Sequence, residues 1–358
     1  MKRILYVSDA LSIHTRRWAE HYRDQGVDVH IASFRKASIP GVSIHQLPTG
    51  GLGKLGYLLA IPFLRRLASQ LRPDVIHAQY VTSYGFLAAM AGLRPLVLTA
   101  WGTDVLISPK ESKLMCWLAR YAVRHADAVT TVAQHMNPAV ARLGVPLEEV
   151  SAVPFGVDSQ RFVPLPDRPQ REVLRLISTR NFAPIYSVDT VIAAVATCAR
   201  RGLRLSVHLV GAGELREALE RQVVEAGLSD CVEFHGHVDH ARLAALLADA
   251  DIFVSSALSD GNNVSLNEAM ACACFPIATN IPANAQWIED GKNGLLYPSG
   301  DADALADCIV RAAEDKDQRE HAGRLNRQIV EQRADWRVCV DRMNITYAQA
   351  ITNARAGV

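Results

Sequence analysis

The stretch DGNNVSLNE, residues 260 to 268, places two carboxylates, Asp260 and Glu268, on either side of Gly261, Asn262 and Asn263. It follows the apolar run DIFV and leads into LNEAMA, so it reads as a strand, a loop and a helix start. Gly261 is expected to give the loop a backbone geometry that other residues resist, with the amides of Gly261, Asn262, Asn263 and Val264 pointing outward at the helix start. Such amides bind oxygen-rich groups. A carboxylate has two acceptor oxygens and no donor, which suits a pair of adjacent sugar hydroxyls. A plainer alternative is Asn262 as a helix cap and Glu268 as helical surface.

Other strand ends carry comparable residues. In STRNFAPIYSVDT, Arg180 directly follows a strand, where a guanidinium fork grips phosphate through two hydrogen bonds. HLVGAGELREAL has Gly211 and Gly213 between a strand and a helix. It lacks the third glycine of a dinucleotide fingerprint, though G-x-G does permit close backbone approach to a ligand. In LTAWGTDV, Trp101, Gly102, Thr103 and Asp104 supply an apolar wall, a turn and a carboxylate, or else Trp101 simply packs in a core. After the first strand, Asp9, Ser12, His14 and Arg16 gather in SDALSIHTRR, readable as polar ligands or as a helix cap with surface neighbours.

The elements that must hold these residues alternate. RILYVSD, VDVHIASF, DVIHAQY, PLVLTAW, AVTTVA and VSAVPFGV read as strands, with helical runs between most of them. DSQRFVPLPDRPQREV, with its prolines and charges, reads as a linker at about 159 to 171. Alternation restarts in LRLIST, LSVHLVG, VEFHG, DIFVSS and FPIATN, and a helix-rich tail completes the chain. The pattern predicts an α/β chain of two doubly wound domains, residues 1–163 and 164–339. Ligands bind at the carboxyl ends of such strands, and the two domains are expected to face a central cleft.

Length and composition agree. The chain has 358 residues, 49% of them hydrophobic, which is enough core for two domains, and its formal net charge of +1 gives no electrostatic reason to expect nucleic acid. Seven cysteines show no metal-finger spacing, and Cys272 and Cys274 read as core filler. MKRILYVSDA reads as a first strand rather than a signal peptide, and no run is long enough to span a membrane. A cytoplasmic protein is expected. KLGYLLAIPFLRRLASQLR, residues 54–72, reads either as a helix covering the first sheet or as a peripheral contact with the inner membrane face.

Several motifs in order, DVIHAQY, TAWGTD, VPFGVDSQRF, VGAGELREALE, VEFHGHV, SDGNNVSLNEAMA and NGLLYPSGDADALA, resemble retaining glycosyltransferases of the GT-B fold, family 4. The resemblance covers nearly the whole chain. It implies two Rossmann-like domains, an N-terminal one for the acceptor and a C-terminal one for the nucleotide-sugar donor, with a closing helix at about 340–358 rejoining the first. It implies that Asp260, one methylene shorter than the family's glutamate, contacts the donor sugar, and that Glu268 holds the ribose hydroxyls. Gly261, Asn262, Asn263 and Val264 match the loop that contacts the sugar, and Arg180 matches the diphosphate-binding arginine. Tyr186 stands where the family has a lysine, and Trp101 where many members have a histidine, so His14 or Asp104 is expected to take polar contacts instead.

The expected reaction is transfer of a sugar from a nucleoside diphosphate sugar, UDP before GDP, to a hydroxyl of a sugar or lipid-linked acceptor in cell-surface polysaccharide or glycolipid assembly, with retention. The chemistry is assigned to Asp260, Arg180, His14 and Asp104, and donor binding to Glu268, the loop, Tyr186, Gly211 and Trp101. No metal and no cofactor are expected. A nucleotide-sugar epimerase or a phosphorylase on the same scaffold, and a non-catalytic sugar-binding protein, are the competing readings.

Overall fold

The computed structural model describes residues 1–51, 53–166 and 171–357, the side chains at 53–55 aside. The chain divides into two compact units, Met1–Phe155 with Val340–Val358, and Gly156–Cys339. Part of the expected linker, residues 167–170, lies outside the described residues.

In the first unit, strands β1 (Arg3–Val7), β2 (Asp28–Ser33), β3 (Ser43–Gln46), β4 (Val75–Gln79), β5 (Leu96–Ala100), β6 (Ala128–Thr131) and β7 (Val150–Ala152) form one sheet. Its order is β3-β2-β1-β4-β5-β6-β7, and every pair is parallel. β1, β4 and β5 are almost wholly buried, as strands covered on both faces must be. Helices supply the cover through spaced apolar positions. In Ala60–Leu71, for example, Ala60, Leu64 and Leu67 are buried while Arg65 and Arg66 are exposed.

The long last helix, Trp336–Ala356, contributes its body from Val340 onward to this unit. It is tied by polar contacts as well as by packing. Tyr347 Oη lies 2.7 Å from His77 Nδ1, Tyr22 donates to Asn344 Oδ1 at 2.9 Å, and Asn353 donates to the Asp127 carbonyl at 2.8 Å. Burial drives the His77 pKa down to about 3, so this imidazole is a neutral hydrogen-bonding strut.

In the second unit, β8 (Leu174–Ser178), β9 (Leu205–Val210), β10 (Val232–Gly236), β11 (Ile252–Ser255), β12 (Phe275–Thr279) and β13 (Leu295–Tyr297) pair in the order β10-β9-β8-β11-β12-β13, all parallel. Two of the short strands at sheet edges, β3 and β13, are not among the strands read from the sequence pattern.

The expected boundary at 163 falls inside the second unit. Phe162 is buried in its core, and Arg327 donates to the carbonyls of Ser159, Phe162 and Ala271. Val157 also bridges Asp335. Prolines mark where regular structure stops, but these contacts bind residues 156–163 to the second core.

Candidate active site

In both sheets the strand order reverses direction between the first strand and the fourth, β1 and β4 in one unit and β8 and β11 in the other. A loop leaves each switch strand toward an opposite side there, which opens a crevice for ligands at the carboxyl ends.

In the second unit the loops after β8 and β11 meet on Arg180, which is 8% exposed. Its Nη1 donates to Asn263 Oδ1 at 2.8 Å, and its Nη2 makes an ion pair with Asp260. The guanidinium lies over the Tyr186 ring, 4.3 Å from the centroid. Tyr186 therefore supplies a π face to the arginine.

Asn263, fully buried, is the hub of this arrangement. Its Oδ1 also accepts from Leu266 N at 3.1 Å, making it the cap of the helix Val264–Ala271, and its Nδ2 donates to Ser255 Oγ at 3.0 Å and Asn284 Oδ1 at 2.9 Å. The cap is thus Asn263 rather than Asn262. Asn284 is held in turn by donating to the Thr279 carbonyl at 2.9 Å, and Ser265 Oγ donates to the Thr179 carbonyl at 2.9 Å. The links from Arg180 to Asn263 and from Ser265 to Thr179 join the ends of β8 and β11, and the link from Asn263 to Asn284 joins those of β11 and β12.

Two expectations for the loop need correction. Gly261 does not adopt a positive φ, so the turn does not need glycine for that reason. The four amides are not all open: Asn262 N donates to Asp260 Oδ1 at 3.2 Å, and Val264 N to the Asn262 carbonyl at 3.0 Å. What the loop presents instead is unsatisfied side-chain polarity. Asn262 is 6% exposed, and neither its Oδ1 nor its Nδ2 has a hydrogen-bond partner among the described residues. Ser178 Oγ, Thr179 Oγ1, Arg180 Nε and Asn267 Nδ2 share that condition. Buried polar atoms are ordinarily paired, so a group of them around one switch point marks a site built for a polar ligand. Glu268 sits on the helix Val264–Ala271, one turn beyond Val264 and partly exposed.

Gly211 serves the arginine's own loop. A Cβ there would stand 2.1 Å from the Arg180 carbonyl oxygen, and one on Gly213 would stand 2.3 Å from the Phe182 carbonyl oxygen. The G-x-G therefore lets the β9 loop press against residues 180–182, where Phe182 N donates to the Ala212 carbonyl at 3.0 Å. Close approach is realised, but toward the protein's own backbone.

In the first unit His14 stacks on Phe155, with ring centroids 3.6 Å apart, and meets Trp101 edge-on at 5.9 Å. Desolvation, with Arg17 adding repulsion, lowers the His14 pKa to about 4, so the ring is neutral at pH 7. Its backbone amide donates to the capping Ser12 Oγ at 3.2 Å. Trp101 keeps a buried indole N–H with no partner among the described residues. Asp104 is completely buried and accepts from the amides of Val81 and Gly102, both at 2.8 Å, and of Trp101 at 3.1 Å. Burial raises its pKa, while those amide hydrogen bonds oppose the rise. It ties the loops after β4 and β5 together and faces inward, so it positions Trp101 instead of contacting substrate. Phe155, Asn263 as hub and Asn284 do not stand out in the sequence. A capping signal before LNEAMA was available for Asn263, while the other two carry no local signal.

Two family models match the chain: one described as Glycosyl transferase 4-like over residues 3–133, and one described as Glycosyl transferases group 1 over residues 174–315. The chain belongs to this two-domain class of glycosyltransferases. Among curated relatives, it is 28% identical over 244 residues to a GDP-mannose-dependent alpha-(1-6)-phosphatidylinositol monomannoside mannosyltransferase of Mycolicibacterium smegmatis, covering 63% of this chain and 62% of that one. It is 26% identical over 193 residues to the putative colanic acid biosynthesis glycosyltransferase WcaL of Escherichia coli, covering 52% and 48%. The chain thus spans about half to three fifths of the length of these relatives. Anabaena HepE, solved in complex with UDP and glucose, superposes with a TM-score of 0.80 at 20% identity, covering 97% of this chain and 100% of that one. Sucrose-phosphate synthase from Thermosynechococcus elongatus superposes at 0.81 and 20%, covering 98% and 100%. These likenesses identify the fold as GT-B.

Proposed function

We propose that the protein transfers a sugar, with retention, from a nucleoside diphosphate sugar to an acceptor hydroxyl. The observation that carries this is Arg180, buried at the β8–β11 switch point, held by Asp260 and Asn263, and surrounded by buried polar atoms with open valences. Cleavage of the anomeric C–O bond leaves negative charge on the diphosphate. A fixed guanidinium beside the start of the helix Val264–Ala271 offers that charge a preorganised partner. Glu268 is the acceptor for the ribose hydroxyls and Asn262 the amide for the donor sugar.

Asp260 already spends one oxygen on Arg180 and the other on Asn262 N, which disfavours it as a nucleophile and supports attack from the leaving-group face. Arg180 and the helix start supply charge stabilisation without a metal ion, and the proposed reaction needs none.

The proposed donor is a UDP-sugar, with a GDP-sugar second; HepE was solved with UDP, whereas the mycobacterial relative is named for GDP-mannose. The proposed acceptor is a sugar or lipid-linked hydroxyl in cell-surface polysaccharide or glycolipid assembly, at the cytoplasmic face of the membrane. Exposed Tyr57, Leu58 and Leu59, with exposed Arg66 on the helix that follows, support a peripheral contact. Arg65 adds little to it, since it donates to the carbonyls of Met90 and Ala91, both at 3.0 Å. The side chains of Lys54 and Leu55 lie outside the described residues. Among the described residues no helix is long and apolar enough to cross a membrane.

The deciding experiment is incubation of the full chain with UDP- and GDP-sugars and a panel of acceptors in EDTA. Product analysis should then show a glycoside of retained anomeric configuration. An inverted product refutes the proposed stereochemistry, and the epimerised sugar or a sugar phosphate formed from inorganic phosphate places the chain among epimerases or phosphorylases. Nucleotide binding without turnover across the panel favours a sugar-binding protein.

A further inference from the structure

His208, Glu233 and His235 each offer one ligand atom, and these atoms all lie within 4.8 Å of one another. We infer that they form a zinc-class transition-metal site on the outer strand pair of the second unit, built by the pairing of β9 with β10.

The sheet itself creates the convergence. Parallel pairing sets His208 directly opposite Glu233. Strand alternation then brings residues 233 and 235 toward the same face. The pairing shifts register between Phe234, opposite Leu209, and Gly236, opposite Val210, so His235 is the extra residue of a bulge. A bulge re-aims a side chain, and here the His235 ring swings toward its neighbour. His208 Nδ1 and His235 Nε2 come within 2.9 Å, and His208 Nδ1 stands 3.6 Å from Glu233 Oε2. Ligand atoms at about 2.0–2.2 Å from a tetrahedral zinc are separated from one another by roughly 3.3–3.5 Å. Small side-chain rotations therefore convert the existing separations into a coordination face.

The outer nitrogen of His208 is also provided for. Its Nε2 lies 3.2 Å from Ser206 Oγ, two residues back on the same strand. A hydrogen bond to that hydroxyl leaves Nδ1 as the ligand nitrogen and fixes the ring plane, the service that outer partners give metal-binding histidines. Two imidazoles and one carboxylate suit zinc. Arg175 and Arg242 act electrostatically on His208, and Arg175 is paired with Asp249.

The first unit contains a near copy that fails, and the failure is instructive. His30 on β2 and His45 on β3 also approach, Nδ1 to Nε2, at 3.0 Å. Their neighbouring carboxylate, Asp28, contacts His30 through the opposite ring nitrogen at 3.2 Å, and Arg3 holds it at 2.6 Å. The three groups therefore surround His30 without converging on one point. A metal on the second unit would clamp edge strand β10 to β9 and so stabilise that edge of the sheet.

The test uses the full chain, stripped with a chelator and then titrated with Zn²⁺ or Co²⁺. One equivalent should bind, raise the melting temperature, and give a Co²⁺ spectrum with visible d–d bands and no thiolate charge-transfer band. H208N and H235N should each weaken binding by at least about 100-fold, and S206A by about 10-fold. H45N should bind as the wild type does, which also controls for loss of a surface histidine. A melting curve of each stripped variant close to that of the stripped wild type verifies its fold. No binding by the stripped wild type, binding undiminished in the H208N/H235N double variant, or a thiolate band would overturn the assignment.

Discussion

Replacing Asn263 by alanine tests whether one buried amide holds the candidate site together. The change removes the cap on Leu266 N, the donor to Ser255 and Asn284, and the acceptor for Arg180 Nη1. Losing a cap costs about 1 kcal/mol, and a hydrogen bond to a charged group is worth about 1.5–3 kcal/mol. The buried acceptors on Ser255 and Asn284 add about 1 kcal/mol each when their donor disappears. Bonds that share a side chain are not additive, so a total of about 3–5 kcal/mol is expected. In a unit spanning residues 156–339 this lowers the melting temperature by roughly 6–20 °C. N263D keeps both acceptor roles and loses only the donor, so it should fall between wild type and N263A. Calorimetry resolves the transition of the second unit, and titration with nucleoside diphosphates reads the site. A melting temperature for N263A within about 2 °C of wild type would refute the reasoning, since the network would then carry no load.

Arg180→Ala should reduce turnover by about 100- to 1,000-fold, with Arg180→Lys intermediate because a point charge keeps attraction but loses the fork; steady-state kinetics with the accepted donor measures both. Glu268→Ala should weaken nucleoside diphosphate affinity by roughly 10- to 100-fold and leave 2′,3′-dideoxy analogues unaffected, as isothermal titration would show. His14 has a folded pKa of about 4 against 6.5 in the unfolded chain, so the unfolded state binds more protons between those values. Its contribution is complete above pH 6.5 and is lost as pH falls toward 4; denaturant titrations should show stability declining over that window by at most about 3 kcal/mol from this group, and H14Q should flatten the decline. His77, with a folded pKa of about 3, adds a loss of the same sign that H14Q leaves in place.

Much of this was legible from residue order alone. Alternating short apolar runs and amphipathic stretches are local consequences of backbone sterics and burial, so two doubly wound domains and the carboxyl-end loops could be read from them. The loop at 260–268 and Arg180 stood out because their residue types suit sugar and phosphate chemistry. The roles of Gly261, Gly211 and Asp104 could not be read that way. A glycine in a sequence is compatible with a turn, a ligand or a neighbouring backbone. At Gly211 and Gly213 the structure reveals which, through the Arg180 and Phe182 carbonyls where a Cβ would go. Asp104 in TDV was expected to take part in the chemistry, but three backbone amides enclose it.

The sequence by itself determined the order of elements, the division into two α/β halves and the supply of polar residues at strand ends. Tertiary structure decided which of those residues meet. Arg180 reaches Asp260 and Asn263 across 80 and 83 residues only because β11 pairs with β8. His235 turns toward His208 only because one residue is inserted where β10 pairs with β9. Strand order and register arise from packing of the whole sheet, which no local window of the sequence contains.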